Sequence, residues 1–274
     1  MATSVQALLF GALNELRMHP VTQRVRALRG GEVIIDSSAA RLVWEPRRVV
    51  GSYAVPRPDI AGELVACRPD PAPERAVRIG EGTSVLDPRS PFSVHTAPGT
   101  PWTIRCGDRD LLGAAFSVVD EDLDDYVLCD WAAFDSWLEE DEQRIAHPRD
   151  PFQRIDCLRS RRHVQVRVNG RLLADSDRPT ILLETNLPAR YYLPAEDVRF
   201  DLLTPTRSHT SCAYKGVASY WSSTGENPVA DVCWSYSEPL HDALPVAGMY
   251  SFFNERVELS IDGVIQERPS TSWS

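Results

Sequence analysis

The chain has 274 residues, 43% of them hydrophobic and 25% charged, with a formal net charge of −10. Such a composition belongs to a soluble globular protein long enough for one large or two ordinary domains. The acidity excludes a general binder of nucleic acid or of an anionic membrane, since either needs a basic field.

In chain order, Val5, Leu8, Ala12 and Leu16 fall near helical spacing behind Ser4, a residue suited to an N-cap. A short helix is therefore expected within residues 1–17. No basic residue precedes Arg17 and the apolar run is too short for a bilayer, so neither a signal peptide nor a membrane span is expected. The reading is a cytoplasmic chain with reduced thiols. The six cysteines (67, 106, 129, 157, 212 and 233) include no Cys-x-x-Cys pair, so we expect no structural zinc, no other metal and no disulfide.

Residues 18–146 read as a first β module and 161–274 as a second, joined by a proline-containing linker at 147–160. The stretch Val25–Asp36 lies over Val164–Asp175 without a gap, and Glu45 and Glu184 each follow nine residues after the aspartate. Each copy alternates apolar residues, turns at Gly30-Gly31 or Asn169-Gly170 and resumes as an apolar strand, the pattern of a β-hairpin. The overlay then pairs Tyr53 with Tyr192 and Asp59 with Asp197. A mainly β chain with pseudo-twofold internal duplication follows. Between the hairpins, Cys67 to Asp110 is rich in Pro, Gly and Arg and reads as long connections. Trp137–Ala146 reads as an acidic helix or a strand with a charged tail, and His147–Pro151 as a break. In the second copy nine strands are expected between residues 163 and 262, one of them at 198–203.

Features shared by both copies serve the scaffold, and features of one copy are candidates for function. Lys215 is the sole lysine beside 28 arginines, within Cys212-Ala-Tyr-Lys-Gly216. The closest first-copy counterpart by sequence is near Arg105–Phe116, which has no Tyr-Lys. A lysine differs from arginine in that desolvation can strip its proton and make it a base or nucleophile. The second copy thus reads as the functional half and the first as a degenerate copy.

Four segments, His147–Asp156, Glu184–Pro194, Cys212–Trp221 and the tail around Phe252–Asn254 and Ile261–Gly263, resemble the bacterial and fungal family catalogued as domain of unknown function 427, in a long two-copy form. The resemblance implies a β-tent-like module, the fold of methionine-R-sulfoxide reductases and of cereblon's ligand-binding domain. It also carries a nucleotidyltransferase-like label. The residues lack a Walker-type phosphate loop and the Gly-Ser then Asp-x-Asp pattern that such chemistry uses.

Around Lys215 the sequence gathers an aromatic pocket with polar donors, the usual form of a small-molecule site. The expected ligand-binding set is Glu184, Arg190, Tyr191, Tyr192, His209, Tyr220, Trp221, Trp234 and Tyr236. Arg190 or Lys215 would take a carboxylate or phosphate on the ligand. The expected catalytic set is Lys215 as Schiff-base former or general base, Cys212 as nucleophile with His209 as its base, and Tyr214 as acid. No cofactor is named by these residues. Three readings stay open: a small-molecule-binding β protein with or without a reaction at Lys215, a nucleotidyl transferase, and a non-catalytic binding or assembly module.

Overall fold

The structure is a computed structural model and describes residues 2–68, 72–79, 83–107 and 109–271. It divides into two compact units, residues 1–78 with 82–150, and residues 151–274 with 79–81. The break after Asp150 falls in the proline-bounded segment, where two rings remove backbone donors and hold their predecessors extended.

The first unit opens with α1 (Val5–Ala12), whose first turn is capped by the Ser4 hydroxyl accepting from Ala7 N at 3.3 Å. Its packed side is Phe10 and Leu13, while Val5 and Leu8 lie exposed, so the stripe expected from spacing is not the buried one. A helix this short follows whichever ring and branched chain reach the sheet. The strands are β1 (Arg17–Pro20), β2 (Val25–Arg29), β3 (Glu32–Ser37), β4 (Arg41–Trp44), β5 (Ser52–Pro56), β6 (Glu63–Ala66), β7 (Ala76–Ile79), β8 (Thr83–Leu86), β9 (Gly99–Cys106), β10 (Arg109–Val118), β11 (Tyr126–Cys129), β12 (Ser136–Glu139) and β13 (Glu142–Arg144). A seven-stranded sheet runs β1-β4-β5-β11-β10-β9-β6, and a four-stranded sheet runs β13-β12-β2-β3. One core joins them, with Val25, Ile35 and Trp137 from the small sheet against Leu42, Val55, Ile104 and Val127 from the large one. Trp137–Ala146 is a hairpin of β12 and β13, and the expected long connection contains the β7–β8 pair and β9.

The second unit comprises β14 (Ile155–Arg159), β15 (Val164–Val168), β16 (Arg171–Ser176), β17 (Thr180–Glu184), β18 (Arg190–Tyr192), β19 (Leu203–Cys212), β20 (Gly216–Ser223), β21 (Cys233–Ser235), β22 (Tyr250–Phe252), β23 (Glu258–Ile261) and β24 (Val264–Ile265). Two backbone hydrogen bonds between Leu193 and Tyr250 join β18 to β22, giving the order β14-β17-β18-β22-β21-β20-β19. The small sheet runs β16-β15-β23-β24. In place of a strand at 198–203 the chain makes two 3-10 turns, Ala195–Asp197 and Phe200–Leu202, before β19 starts. Pro194 presets the φ of the first turn.

Each of these strands has a partner of the same rank in the first unit. The two hairpins share even their irregularity, with a register shift between Ala27 and Leu28 and another between Val166 and Arg167. Both turns place two residues at positive φ, Gly30 and Gly31 at 61° and 81°, and Asn169 and Gly170 at 50° and 76°, as a type I′ turn requires. The registers also correct the tyrosine overlay. Tyr53 pairs with Leu42, and the residue holding that place in the second unit is Tyr191, paired with Ile181. Side chains alternate along a strand, so this one-residue slip moves Tyr192 to the opposite face.

Candidate functional site

That alternation sorts the aromatic residues of the second unit into two groups. Toward the small sheet point Leu193, Cys233 and Phe252, with Tyr191, Trp221 and Tyr250 packed beside them. On the other face of the large sheet, Leu182, Tyr192, Ala218, Trp234, Tyr236 and Phe253 form a second core, bordered by Ile155, Cys157 and Tyr220 and covered by Ala243 and Val246 of the 3-10 turn His241–Val246. Tyr192, Trp234, Tyr220 and Tyr236 therefore share a face. Tyr191 and Trp221 do not join them. His209 pairs with Ser219 on β20 and is exposed, so the structure does not bring it to Cys212 as a base.

Lys215 turns inward on this second face. It occupies the tight connection between β19 and β20, where Cys212 pairs with Gly216. Gly216 has φ 97°, and a Cβ there would meet Glu238 O at 3.2 Å and Leu240 N at 3.3 Å, so glycine is needed directly after the lysine. Leu240 N donates to Lys215 O at 3.1 Å and fixes the turn from outside. The Lys215 ammonium donates to Glu184 Oε2, with only 12% of the lysine side chain and 7% of the glutamate side chain exposed. The other oxygen, Oε1, accepts from Gln153 Nε2 at 3.1 Å. Gln153 was not among the expected site residues, although it lies in the His147–Asp156 segment that carries part of the family resemblance, ahead of β14.

Burial works against the charge on Lys215, but Glu184 and Cys212 outweigh it and raise the lysine pKa. The lysine is thereby held as an ammonium, which argues against the Schiff-base role. Burial likewise pushes the phenols of Tyr192, Tyr236 and Tyr220 up, with Glu184 or Cys212 adding to it for the first two and Lys215 opposing it for the third. The Cys157 thiol is raised by burial and by Asp156, with Lys215 pulling the other way. Glu184, Cys157, Cys212 and Tyr220 thus lie within electrostatic reach of the Lys215 ammonium, and Tyr192 and Tyr236 within reach of the Glu184 carboxylate. Tyr214 is buried within the turn itself.

Arg190 has a different partner from the one expected. It makes a bidentate pair with Glu255, at 2.8 and 2.7 Å, in which the glutamate side chain is fully buried. Thr271 Oγ1 adds a third hydrogen bond to that carboxylate at 2.6 Å. Burial raises the Glu255 carboxyl, but Arg190 and Thr271 outweigh it and leave the pKa below the ordinary value. The guanidinium also stands over the Trp234 ring at 5.6 Å. Arg190 is thus an internal strut rather than an anion receptor. Trp234 Nε1 donates to the Tyr192 hydroxyl at 3.0 Å, and the Tyr220 hydroxyl meets Thr210 Oγ1 at 2.6 Å.

The six cysteines are free thiols. Among the described residues no three His, Cys, Asp or Glu side chains gather as a metal site, and no helix is long and apolar enough to cross a membrane. No curated protein matches the chain. A family model matches residues 156–263, which include Glu184, Cys212 and Lys215 and leave Gln153 just outside. The family whose model matches that stretch of the second unit is described as a domain of unknown function (DUF427), and the mainly β architecture agrees with the fold expected from the resemblance.

Proposed function

We propose that the second unit is a small-molecule-binding β module in which the Lys215–Glu184 pair is the polar anchor of an aromatic face. The observation that carries this reading is the ion pair itself, nearly buried at the edge of Tyr192, Tyr220, Trp234 and Tyr236. Taking two charges out of water costs several kcal/mol per ion, and a well-packed apolar pair of the same volume is often as stable. An ion pair kept there fits a role in recognition. Lys215 acts as donor and charge for a carboxylate or phosphate, and Glu184 holds it extended. If a reaction follows, the protonated lysine is its acid, with Cys212 as the adjacent thiol.

A second reading has a specific observation in its favour. Arg190 with Glu255, and Trp234 with Tyr192, satisfy one another without a ligand, as in a non-catalytic packing or assembly module. A thermal-shift screen separates the readings. Carboxylates, phosphates and nucleoside triphosphates with magnesium are tested against the wild-type chain and against the double variant Lys215→Met/Glu184→Leu. We expect one anionic class to stabilise the wild type and to lose that effect in the double variant. Undiminished binding by a double variant that folds, or no response to any class, would overturn the anchor. A response confined to the triphosphates would favour the nucleotidyl-transfer reading.

A further inference from the structure

We infer that the first unit carries a binding site of its own, for a small zwitterion of the α-amino-acid class with an apolar side chain. The site is a cleft of about 370 Å³ whose lining includes Asp130, Thr103, Arg68, Phe92 and Leu112, a volume at the low end of small-molecule sites. It belongs to the first unit, Lys215 to the second, and the proposal does not depend on that residue's role.

The registers explain why a cleft opens here. Asp130 follows Leu128 by two residues and Thr103 follows Pro101 by two, so both project on the sheet face that carries Phe116 and Leu128. At the place of Asp130 the second unit has Phe253, a core ring. The first unit thus exchanges an aromatic plug for a carboxyl. Beside it β10 breaks register between Leu111 and Ala115, with Gly113 at φ 62°, and this bulge turns Leu112 out to 81% exposure at the rim.

The polar groups of the cleft are of opposite sign. Asp130 Oδ1 accepts from Ala132 N at 3.0 Å, while Oδ2 has no hydrogen-bond partner among the described residues. Burial pushes the carboxyl pKa up, and Ala132 N, Arg48 and His95 only partly offset it, so an added cation would relieve the carboxylate. Arg48 makes no ion pair with Asp130: its Nη2 donates to Pro91 O at 2.8 Å, to Phe92 O at 3.4 Å and to Val94 O, and its Nε lies 3.7 Å from Glu45 Oε1. His95 Nδ1 is engaged with Glu45 at 3.0 Å. Arg68 brings an exposed guanidinium to the same cleft. A carboxylate with a spare oxygen, a guanidinium and the apolar walls of Phe92 and Leu112 match an ammonium, a carboxylate and an aliphatic or aromatic side chain on one small molecule.

Isothermal titration of the whole chain with leucine, 4-methylpentanoate and 3-methylbutylamine tests this, because the last two each lack one of the charges. Leucine should bind, and each single-charge analogue should bind at least about tenfold more weakly. Asp130→Asn should reduce leucine affinity by about tenfold and leave 4-methylpentanoate unaffected, whereas Arg68→Ala should reduce leucine affinity by about tenfold and leave 3-methylbutylamine unaffected. Both variants are checked for cooperative unfolding at a melting temperature no lower than that of the wild type, and Leu112→Ser offers a third variant at an exposed position. Absence of leucine binding at millimolar concentration overturns the proposal. So does leucine binding indifferent to Asp130→Asn, Arg68→Ala and Leu112→Ser.

Discussion

The same row of five positions crosses the outer face of the large sheet in both units, and its chemistry differs at nearly every step. In the first unit it reads Arg41, Ala54, Leu128, Phe116 and Pro101. In the second it reads Thr180, Tyr192, Ser251, Trp234 and Tyr220. Beyond Arg41 the first row is apolar, whereas four of the five residues of the second carry hydroxyls. At the edge of each face a buried glutamate remains, but its neutralisation changes. Glu45 accepts from Thr96 N at 2.8 Å and Ala97 N at 3.2 Å, with His95 Nδ1 at 3.0 Å. Those donors belong to the segment before β9, the rank of β20, which Lys215 precedes. The carboxylate is held in one unit by two backbone amides together with His95 and Arg48, and in the other by one ammonium together with the Gln153 amide.

The sharpest way to break this comparison is Arg190→Met. It strands the fully buried Glu255, and removing one member of a buried pair costs about 3–5 kcal/mol. Ser52 holds the place of Arg190 in the first unit, facing Val43 as Arg190 faces Leu182. Ser52→Ala should stay within about 0.5 kcal/mol. Urea unfolding of both variants reads the difference, and equal effects would mean that the rows are not distinguished by their charges.

Lys215→Met comes next, with an expected loss of about 3 kcal/mol from the unpaired Glu184, which keeps one hydrogen bond from Gln153. Adding Glu184→Leu should recover most of that loss, because the desolvated charge goes with it. A silent Lys215→Met would show that Glu184 does not rely on the lysine.

These partners show what the sequence could and could not disclose. The hairpins were legible because Gly30-Gly31 and Asn169-Gly170 act locally, through turn chemistry that needs no other part of the chain. Lys215 was legible through its uniqueness against 28 arginines. The division of the rings between two faces was not, because it rests on counting alternation across a one-residue difference in loop length. That count sent Tyr192 to the place of Tyr191, and it grouped Trp221 and His209 with residues on the other side of the sheet. Glu255 lies 65 residues from Arg190 and is one acidic residue among 39. Only the pairing of β18 with β22 brings the two together.

Acidification should separate two carboxyls of opposite habit. The Glu255 pKa is depressed in the folded state, so its contribution is present above the ordinary glutamate value of 4.5 and is lost as pH falls through the folded value. Asp130 is raised, so its ionised form opposes folding above the folded pKa, and the penalty fades as pH falls through that value toward 3.8. Asp130→Asn should therefore raise stability near neutrality and leave acid stability almost unchanged, whereas Arg190→Met should remove the acid-sensitive part that Glu255 supplies. Unfolding curves from neutral pH to about pH 3 test both, and an Asp130→Asn that destabilises at neutrality would contradict the raised carboxyl.

Ser251 gives the smallest expected effect and tests the row itself. Its side chain is fully buried and its hydroxyl has no hydrogen-bond partner among the described residues, while Leu128 fills the same place in the first unit. An orphaned hydroxyl costs about 1–3 kcal/mol relative to a satisfied one, yet removing it also leaves a void of one oxygen atom. The two terms oppose each other, and Ser251→Ala should be neutral or up to about 1 kcal/mol more stable. A change of the same sign with Leu128→Ala is not expected, since deleting a packed leucine costs about 2–5 kcal/mol. If Ser251→Ala instead destabilises, the hydroxyl is satisfied in solution by a bound water or ligand between Tyr192 and Trp234. The outer face of the second unit would then be hydrated where that of the first is dry.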